Sequence, residues 1–430
     1  MTVVEQAAVS TELPDQPAPA PPPVPLRRNR DFVLLWAGAG MAFLGTRVSA
    51  LAYTLVTFWS TGSATAAGLV TFAALLPNLL VQLPAGAFVD QWDRRRTMIV
   101  CDLGRIVAIG SVAVAVLSGH VWVAHLMVVA FVEASLGVFY RLSERAAVRN
   151  VVAPDQLGAA MAGNEARGQA AGLLGQPIGS LLFSLVAWIP FGFTALAHLG
   201  SLTTLLFIRK SLQAEQEEHR APRILARIRE GFAFVWGQKY LRRALGLLAA
   251  SNILFQVLAL ALIVIVKEDG GTPPVIGFIL AVNGVGGMLG ALSSNFFMKR
   301  FGIRKIIMFV NVSWAGLMAA IAFAHHPVAL AAIYTAIVYG AGVGNVAGMV
   351  YQVKTTPDNM QGRVGSISML LASGANSIGA LIAGFALDAF TSTTAVLAVT
   401  AVMALLAILS VLAFGGRRAA EAEAAINLTR

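Results

Sequence analysis

Gly86-Ala87-Phe88-Val89-Asp90-Gln91-Trp92-Asp93-Arg94-Arg95-Arg96 joins the end of one long apolar run to the start of another. Two carboxylates and three guanidiniums therefore sit where hydrocarbon gives way to water, an expensive place for charges without a task. Two readings compete. The cluster is either a topogenic loop following the positive-inside tendency, or a latch between two helices that must slide. The sequence on either side weighs between them.

Composition bounds the class of protein. Of 430 residues, 57% are hydrophobic and 12% charged, against about 25% charged in soluble domains, so this is a polytopic membrane protein. A net charge of +10 would suit a nucleic-acid partner only if the basic residues gathered on one soluble face. They are scattered among apolar spans, and no nucleic-acid partner is expected. Cys101 is the single cysteine, which excludes an intramolecular disulfide and a cysteine metal cluster. No Gly-x-x-x-x-Gly-Lys-Ser/Thr phosphate loop occurs. The chain is therefore read as neither an enzyme nor a nucleotide-driven pump, with no cofactor and no metal, drawing on a proton gradient instead. One charge crossing 100 mV releases about 2.3 kcal/mol, roughly a fifty-fold concentration ratio.

Residues 1–26 are rich in proline, from Pro14 to Pro25, and read as a disordered tail. Arg27, Arg28 and Arg30 precede the first apolar run and place the N-terminus in the cytoplasm. A membrane helix needs about 20 mostly apolar residues. Runs of that kind lie at 32–59, 65–89, 97–117, 121–142, 158–187 and 192–208, then at 244–266, 275–298, 306–324, 328–351, 364–390 and 395–414. Twelve spans put both termini on the inner side of a bacterial cytoplasmic membrane. The charge pattern agrees: among the outer connections only Lys267 is Lys or Arg, whereas the inner ones hold residues from Arg94, Arg95 and Arg96 to Arg417 and Arg418.

The spans fall into two sets of six. Pro154-Asp155 precedes the fifth and Pro357-Asp358 the eleventh, 203 residues later, and Arg300 to Lys305 is a basic counterpart of the opening stretch. The expected organisation is an all-α membrane protein with a six-helix bundle at 27–208, a linker at 209–243, a second bundle at 244–414 and a tail at 415–430. Within the linker, Ile224, Leu225, Ile228, Phe232, Val235 and Trp236 follow a helical stripe, which predicts an amphipathic helix on the inner membrane surface.

With these features placed, the chain resembles the major facilitator superfamily from about Arg27 to Ala413. That family's signature after the second span matches here at Gly86, Asp90, Arg94 and Arg95, and departs at Gln91 and Asp93, where a basic residue and glycine are usual. Asn29-Arg30-Asp31-Phe32, Thr61-Gly62-Ser63-Ala64, Leu83-Pro84-Ala85-Gly86, Ile228-Arg229-Glu230-Gly231-Phe232 and Gly362-Arg363-Val364 resemble the branch of macrolide-efflux and siderophore-export proteins. The resemblance implies a monomer of two pseudo-symmetric six-helix bundles with a cavity between them. It also implies a latch role for Asp90, which closes against the second half, with Arg94 and Arg95 pairing with Asp90 or with the negative end of a neighbouring helix.

Ionisable residues inside spans cost roughly 2.5–3.5 kcal/mol each at the bilayer centre on insertion scales and carry the expected chemistry. Arg47 lies midway along the first span and Glu133 midway along the fourth. Drug–proton antiporters of the superfamily often carry Arg-x-x-Gln-Gly in the fourth span, and here Glu133-Ala134-Ser135-Leu136-Gly137 keeps the glycine and reverses the charge. Glu133 is thus expected to titrate beside Arg47; the competing reading is a permanent Arg47–Glu133 salt bridge that fixes packing. Asp102 with Arg105 reads as a local pair or a contact with the opening stretch, Glu144 and Arg145 as interfacial, Glu165 and Arg167 as lining the inner part of span five, Asp388 as an outer-gate or solvated residue, and His198 as packing, with titration the alternative. Gly163, Gly172 and Pro177 partly match the antiporter pattern of span five. Tyr53, Tyr140, Asn164, Asn252, Gln256, Asn283, Asn345 and Asn376 are the expected substrate-cavity residues. The expected function is export of amphipathic or hydrophobic small molecules, with siderophore export, proton-coupled uptake and a non-transporting membrane sensor as alternatives.

Overall fold

The computed structural model describes residues 24–213 and 224–415. Most of the Pro-rich tail, residues 214–223 of the linker, and the C-terminal tail with Arg417 and Arg418 lie outside the described residues. The first half contains α1 (Arg30–Thr61), α2 (Ala64–Leu80), α3 (Gln82–Val89), α4 (Arg94–Leu117), α5 (Val123–Val151), α6 (Leu157–Leu185) and α7 (Ile189–Phe207). After α8 (Ile224–Gly237) come α9 (Lys239–Glu268), α10 (Pro273–Phe301), α11 (Ile303–Ile321), α12 (Pro327–Thr355), α13 (Gln361–Ala389) and α14 (Ser392–Phe414).

Local chemistry sets the helix ends. Asn29, Ser63 and Asp93 accept hydrogen bonds from Phe32, Ala66 and Arg96 N–H at 3.1, 3.1 and 2.7 Å and start α1, α2 and α4. Gly62, at φ 70°, ends α1 in the left-handed conformation that glycine adopts without strain. Short 3-10 turns at Pro154–Gln156 and Asp358–Met360 lead into α6 and α13, each 29 residues long. The Pro-Asp recurrence thus encodes the same entry twice.

Among the described residues ten helices are long and apolar enough to cross a membrane, and α2 with α3 makes an eleventh span bent by 49°. The sequence reading treats 65–89 as one straight run. Pro84 lacks the N–H that would bond the Leu80 carbonyl one turn back, and the helix breaks at Val81. The span formed by α6 is long enough but less apolar, because Asn164, Glu165, Arg167, Gln169 and Gln176 interrupt it.

Packing repeats between the halves. In the first, α1 packs on α6 and α7, α4 on α5 and α7, and α2 on α5; in the second, α9 packs on α13 and α14, α11 on α12 and α14, and α10 on α12. The halves meet through α2 against α13 and α6 against α10, which are equivalent pairs under the same exchange. In the first contact the backbones approach closely: a Cβ on Gly68 would fall 2.7 Å from the Ala380 carbonyl, and one on Gly384 would fall 2.9 Å from that of Ala64. Helix α8 joins the second half. Val235 packs with Leu241, Leu245, Val364 and Ile367, and Glu230 pairs with Arg363 at 2.9 Å, while Phe232 and Trp236 stay exposed.

Both close contacts lie at the helix ends remote from Arg94–Arg96 and Lys299–Lys305, which mark the basic side. A side chain at Gly384 must push backbone, an overpacking cost of about 1–3 kcal/mol. Gly384→Leu is expected to open the remote side: spin labels at Ser118 and His325 should move apart and labels at Arg96 and Arg300 closer together. Unchanged distances would refute this.

Candidate functional site

Glu133 is buried at 3% exposure on α5. Its carboxylate accepts hydrogen bonds from Ser49 Oγ at 2.7 Å and Tyr53 Oη at 2.9 Å, both on α1, and Tyr53 packs against Phe191 of α7 at 5.2 Å. Arg47 is not its partner. The Arg47 side chain is exposed, stands over the Phe43 ring at 5.1 Å, and makes no ion pair among the described residues. Helical geometry explains the separation: Ser49 and Tyr53 are four residues apart and share a face, which Arg47 leaves by pointing toward α6, where its Cβ crowds Gly175. The permanent Arg47–Glu133 salt bridge is therefore absent from this conformation. The cation whose field reaches Glu133 is Arg105 of α4.

Arg105 belongs to a network that the sequence reading assigns to local pairing. Asp102, wholly buried, accepts from Ser201 Oγ at 2.7 Å, lies 3.2 Å from His198 Nδ1 and 3.9 Å from Arg105 Nη1. Tyr140 Oη shares a hydrogen bond of 2.9 Å with Ser201, and its ring lies 5.4 Å below the Arg105 guanidinium. Gly137 makes room: a Cβ there would meet Arg105 Nη2 at 2.5 Å. The glycine retained from the antiporter motif thus accommodates an arginine that arrives from α4 instead of α5.

Beside this network is a cavity of about 430 Å3, lined by Arg105, Arg141, Arg145 and Arg167 against Glu144 and Glu165. Glu144 is buried, not interfacial. It pairs with Arg167 at 3.2 Å and accepts from Asn164 Nδ2 at 3.0 Å. Arg141 donates to Asn78 Oδ1 of α2 at 3.0 Å and feels the repulsion of Arg105 and Arg47. Sequence reading places Arg141 among the inner connections because the apolar run ends near 142, yet α5 continues to Val151. The usable signal was the spacing Glu133, Gly137, Arg141, which puts all three on one helical face.

The expected cavity residues separate. Tyr53, Tyr140 and Asn164 belong to the polar groups of the first half. Asn345 lines a second cavity of about 240 Å3 with Ser251, Asn311, Trp314 and Gln352, in the other half. Asn283 is buried inside that half and accepts from Thr335 at 2.8 Å, a packing role. Asn252, Gln256 and Asn376 are half-buried, and Gln256 packs at the α9–α13 contact, where Gly379 touches it.

Closure is one-sided. On the basic side Asp90 is exposed and, among the described residues, makes no hydrogen bond or ion pair with the second half, and a Cβ on Gly86 would meet nothing within 4 Å. Gly86 therefore permits no close helix approach in this conformation. Arg94 donates to the Ala146 and Leu212 carbonyls at 3.3 Å, and Arg95 to Leu206 O at 2.9 Å, on the negative end of α7. Asp93, out of place against the family signature, caps α4. On the remote side Asp388 of α13 accepts from Ala64 N, Thr65 N and Ser63 Oγ at 2.7, 2.9 and 2.7 Å, capping α2 from the other half. Lys267 of α9 donates to Phe58 O near the end of α1 at 2.9 Å and lies 4.2 Å from the Phe58 ring centre. Both helix dipoles at the α1–α2 corner are thus matched by charges from the second half. Ser180 bonds the Pro273 carbonyl at the α6–α10 contact.

Comparison with known proteins bears on this geometry. Residues 21–428 match the family described as transmembrane secretion effector. The multidrug efflux pump Tap of Mycolicibacterium fortuitum is 30% identical over 370 residues, covering 83% of this chain and 88% of that one. Its counterpart in Mycobacterium tuberculosis strain H37Rv is 28% identical over 379 residues, covering 84% and 88%. Among solved structures, the nucleoside transporter NupG superposes with a TM-score of 0.72 at 16% identity, covering 90% of this chain and 100% of that one. A bacterial homologue of the lysosomal transporter Spinster, in an inward-facing, unoccupied conformation, gives 0.70 at 13% identity with 90% and 97% covered. At such identities the likeness establishes the major facilitator fold.

The two gates carry opposite expectations. Asp388→Asn removes the charge that caps α2, a loss of about 1 kcal/mol at a partly exposed site, and should shift the population roughly fivefold toward opening on the remote side. Asp90→Asn should favour the conformation described here. Cysteine cross-linking across each gate, with buried Cys101 as the only native thiol, measures both; shifts of the same sign would refute the pairing.

Proposed function

The chain belongs to the transmembrane secretion effector family, and on that footing we propose that it exports amphipathic or hydrophobic small molecules by alternating access, in exchange for protons. The basic side faces the cytoplasm of a bacterial inner membrane, both termini lie there, and the conformation described is the one open to cytoplasmic cargo. The efflux role of the Tap relatives supports the direction of transport. Monomeric function, without cofactor or metal, is part of the same proposal.

The observation that carries proton coupling is the setting of Glu133. A carboxylate bonded by a guanidinium is held as the anion, because arginine can only donate. Ser49 and Tyr53 are hydroxyls, which donate to the anion or accept from the acid. Either protonation state of Glu133 can therefore keep hydrogen-bonded partners while buried between α1 and α5. Loss or gain of the proton changes the bonds between these two helices, and α1 is the helix whose end is clamped by Lys267. Proton release to the basic side can accompany cargo loading, and reprotonation from the remote side can follow cargo release.

Reconstituted protein and Nile red provide the test. Glu133→Gln should lose accumulation driven by an imposed pH gradient by at least about tenfold, the scale of a lost charge-assisted interaction. It should retain gradient-independent dye exchange. Gradient-driven accumulation equal to wild type would overturn the role of Glu133, and indifference of the wild type to the gradient would overturn proton coupling.

A further inference from the structure

Resting on the reading of the chain as an exporter, we propose that its cargo carries an anionic group, a carboxylate, sulfonate or phosphate on an apolar body, and that Arg141 in the cavity wall receives it, with the nearby charge of Arg47 adding attraction from outside the lining. The carboxylates around the cavity already have partners. Asp102 is held by Ser201, His198 and Arg105, Glu133 by Ser49 and Tyr53, and Glu144 by Arg167 and Asn164. Glu165 accepts from Gln169 at 2.9 Å on the exposed face of α6. Arg141 has only the neutral amide of Asn78, and Arg47 has only the Phe43 ring.

Like charges within reach of one another repel more strongly in a partly dry cavity than in water. Arg47, Arg105 and Arg141 do so here, and the arrangement lacks one negative charge. An anion in the cavity would relieve the repulsion and could take a paired hydrogen bond from the Arg141 fork. The rest of the wall suits an apolar body, with Phe43, Val138, Met161 and, from the second half, Met369. An occupant would thus touch both halves, and by drawing Arg141 from Asn78 it would act on α2, the helix that closes against α13.

Equilibrium binding to the detergent-purified full chain tests this without any gradient. The probes are dansyl-phenylalanine and its uncharged amide, followed by energy transfer from the protein's tryptophans. Wild type should bind the acid about tenfold more tightly than the amide, the contribution of one charge-assisted hydrogen bond. Arg141→Gln should erase that preference while leaving amide binding intact, and Arg141→Lys should keep part of it. Arg47→Gln, at an exposed position, should weaken the acid selectively and serves if Arg141→Gln does not fold. Equal wild-type affinity for acid and amide would overturn the proposal, as would equal weakening of both probes in Arg47→Gln and Arg141→Gln. Either result would leave gradient-driven Nile red efflux, and so the exporter reading, standing.

Discussion

The close backbone approach of α2 and α13 at Gly68 and Gly384 is the constraint on which the conformation depends. Gly68 and Gly384 bring two backbones into van der Waals contact, so that Asp388 of one half can reach the first turn of α2 in the other. Without that approach the charge would have no helix end to cap. The contact is also breakable. Asp388 is exposed, so its hydrogen bonds can be exchanged for water at a modest cost, which suits a gate that must open in each cycle. Dry ion pairs would hold more strongly, but separating them would leave each partner desolvated.

Charge is distributed unequally over the repeated architecture. In the second half, the Asp, Glu, Lys and Arg residues of the described helices lie near helix ends, from Lys239, Arg242 and Arg243 to Asp388. The first half buries Asp102, Arg105, Glu133 and Glu144. Such groups are costly in hydrocarbon and are tolerated facing a bundle interior with partners. Each carboxylate here has a different partner set: hydroxyls for Glu133, a guanidinium and an amide for Glu144, and a histidine, a serine and a more distant guanidinium for Asp102. Those differences set hydroxyl partners, which can donate or accept, apart from guanidinium partners, which only donate.

Much of the fold was legible because membrane spans are long, apolar and bounded by charge. The Pro-Asp recurrence revealed the repeat, since it marks a physical helix entry. What escaped was whatever depends on geometry around a helix. Hydropathy ended the fourth span just past Arg141, although the helix runs on to Val151 and does not stop where the apolar run does. Arg47 and Glu133 share a depth but not a face, and depth alone suggested a pair. Pro84 announced a break, but the uninterrupted apolar run around it concealed the bend. Asp102 and His198 are remote in sequence, and only the packing of α4 on α7 brings them together. Glu230 and Arg363, drawn from two stretches that resemble the same branch of the family, likewise become neighbours only through the docking of α8.

The departure at Asp93 shows how a local substitution can leave a device intact. Glycine at that place would leave the first turn of α4 without a side-chain cap; aspartate supplies one to Arg96 N–H. It thereby fixes the start of the helix that carries Arg94 and Arg95. Those arginines donate to carbonyls of their own half, including the end of α7, so Asp90 meets Arg94 through its field and not through a hydrogen bond. Asp90, exposed at the end of α3, makes no hydrogen bond to the second half among the described residues, whereas Asp388 is engaged with α2 on the remote side. Asp90 follows α3, and Asp388 reaches the first turn of α2 from α13, so the two aspartates mark opposite ends of the same bent span, one exposed and one engaged.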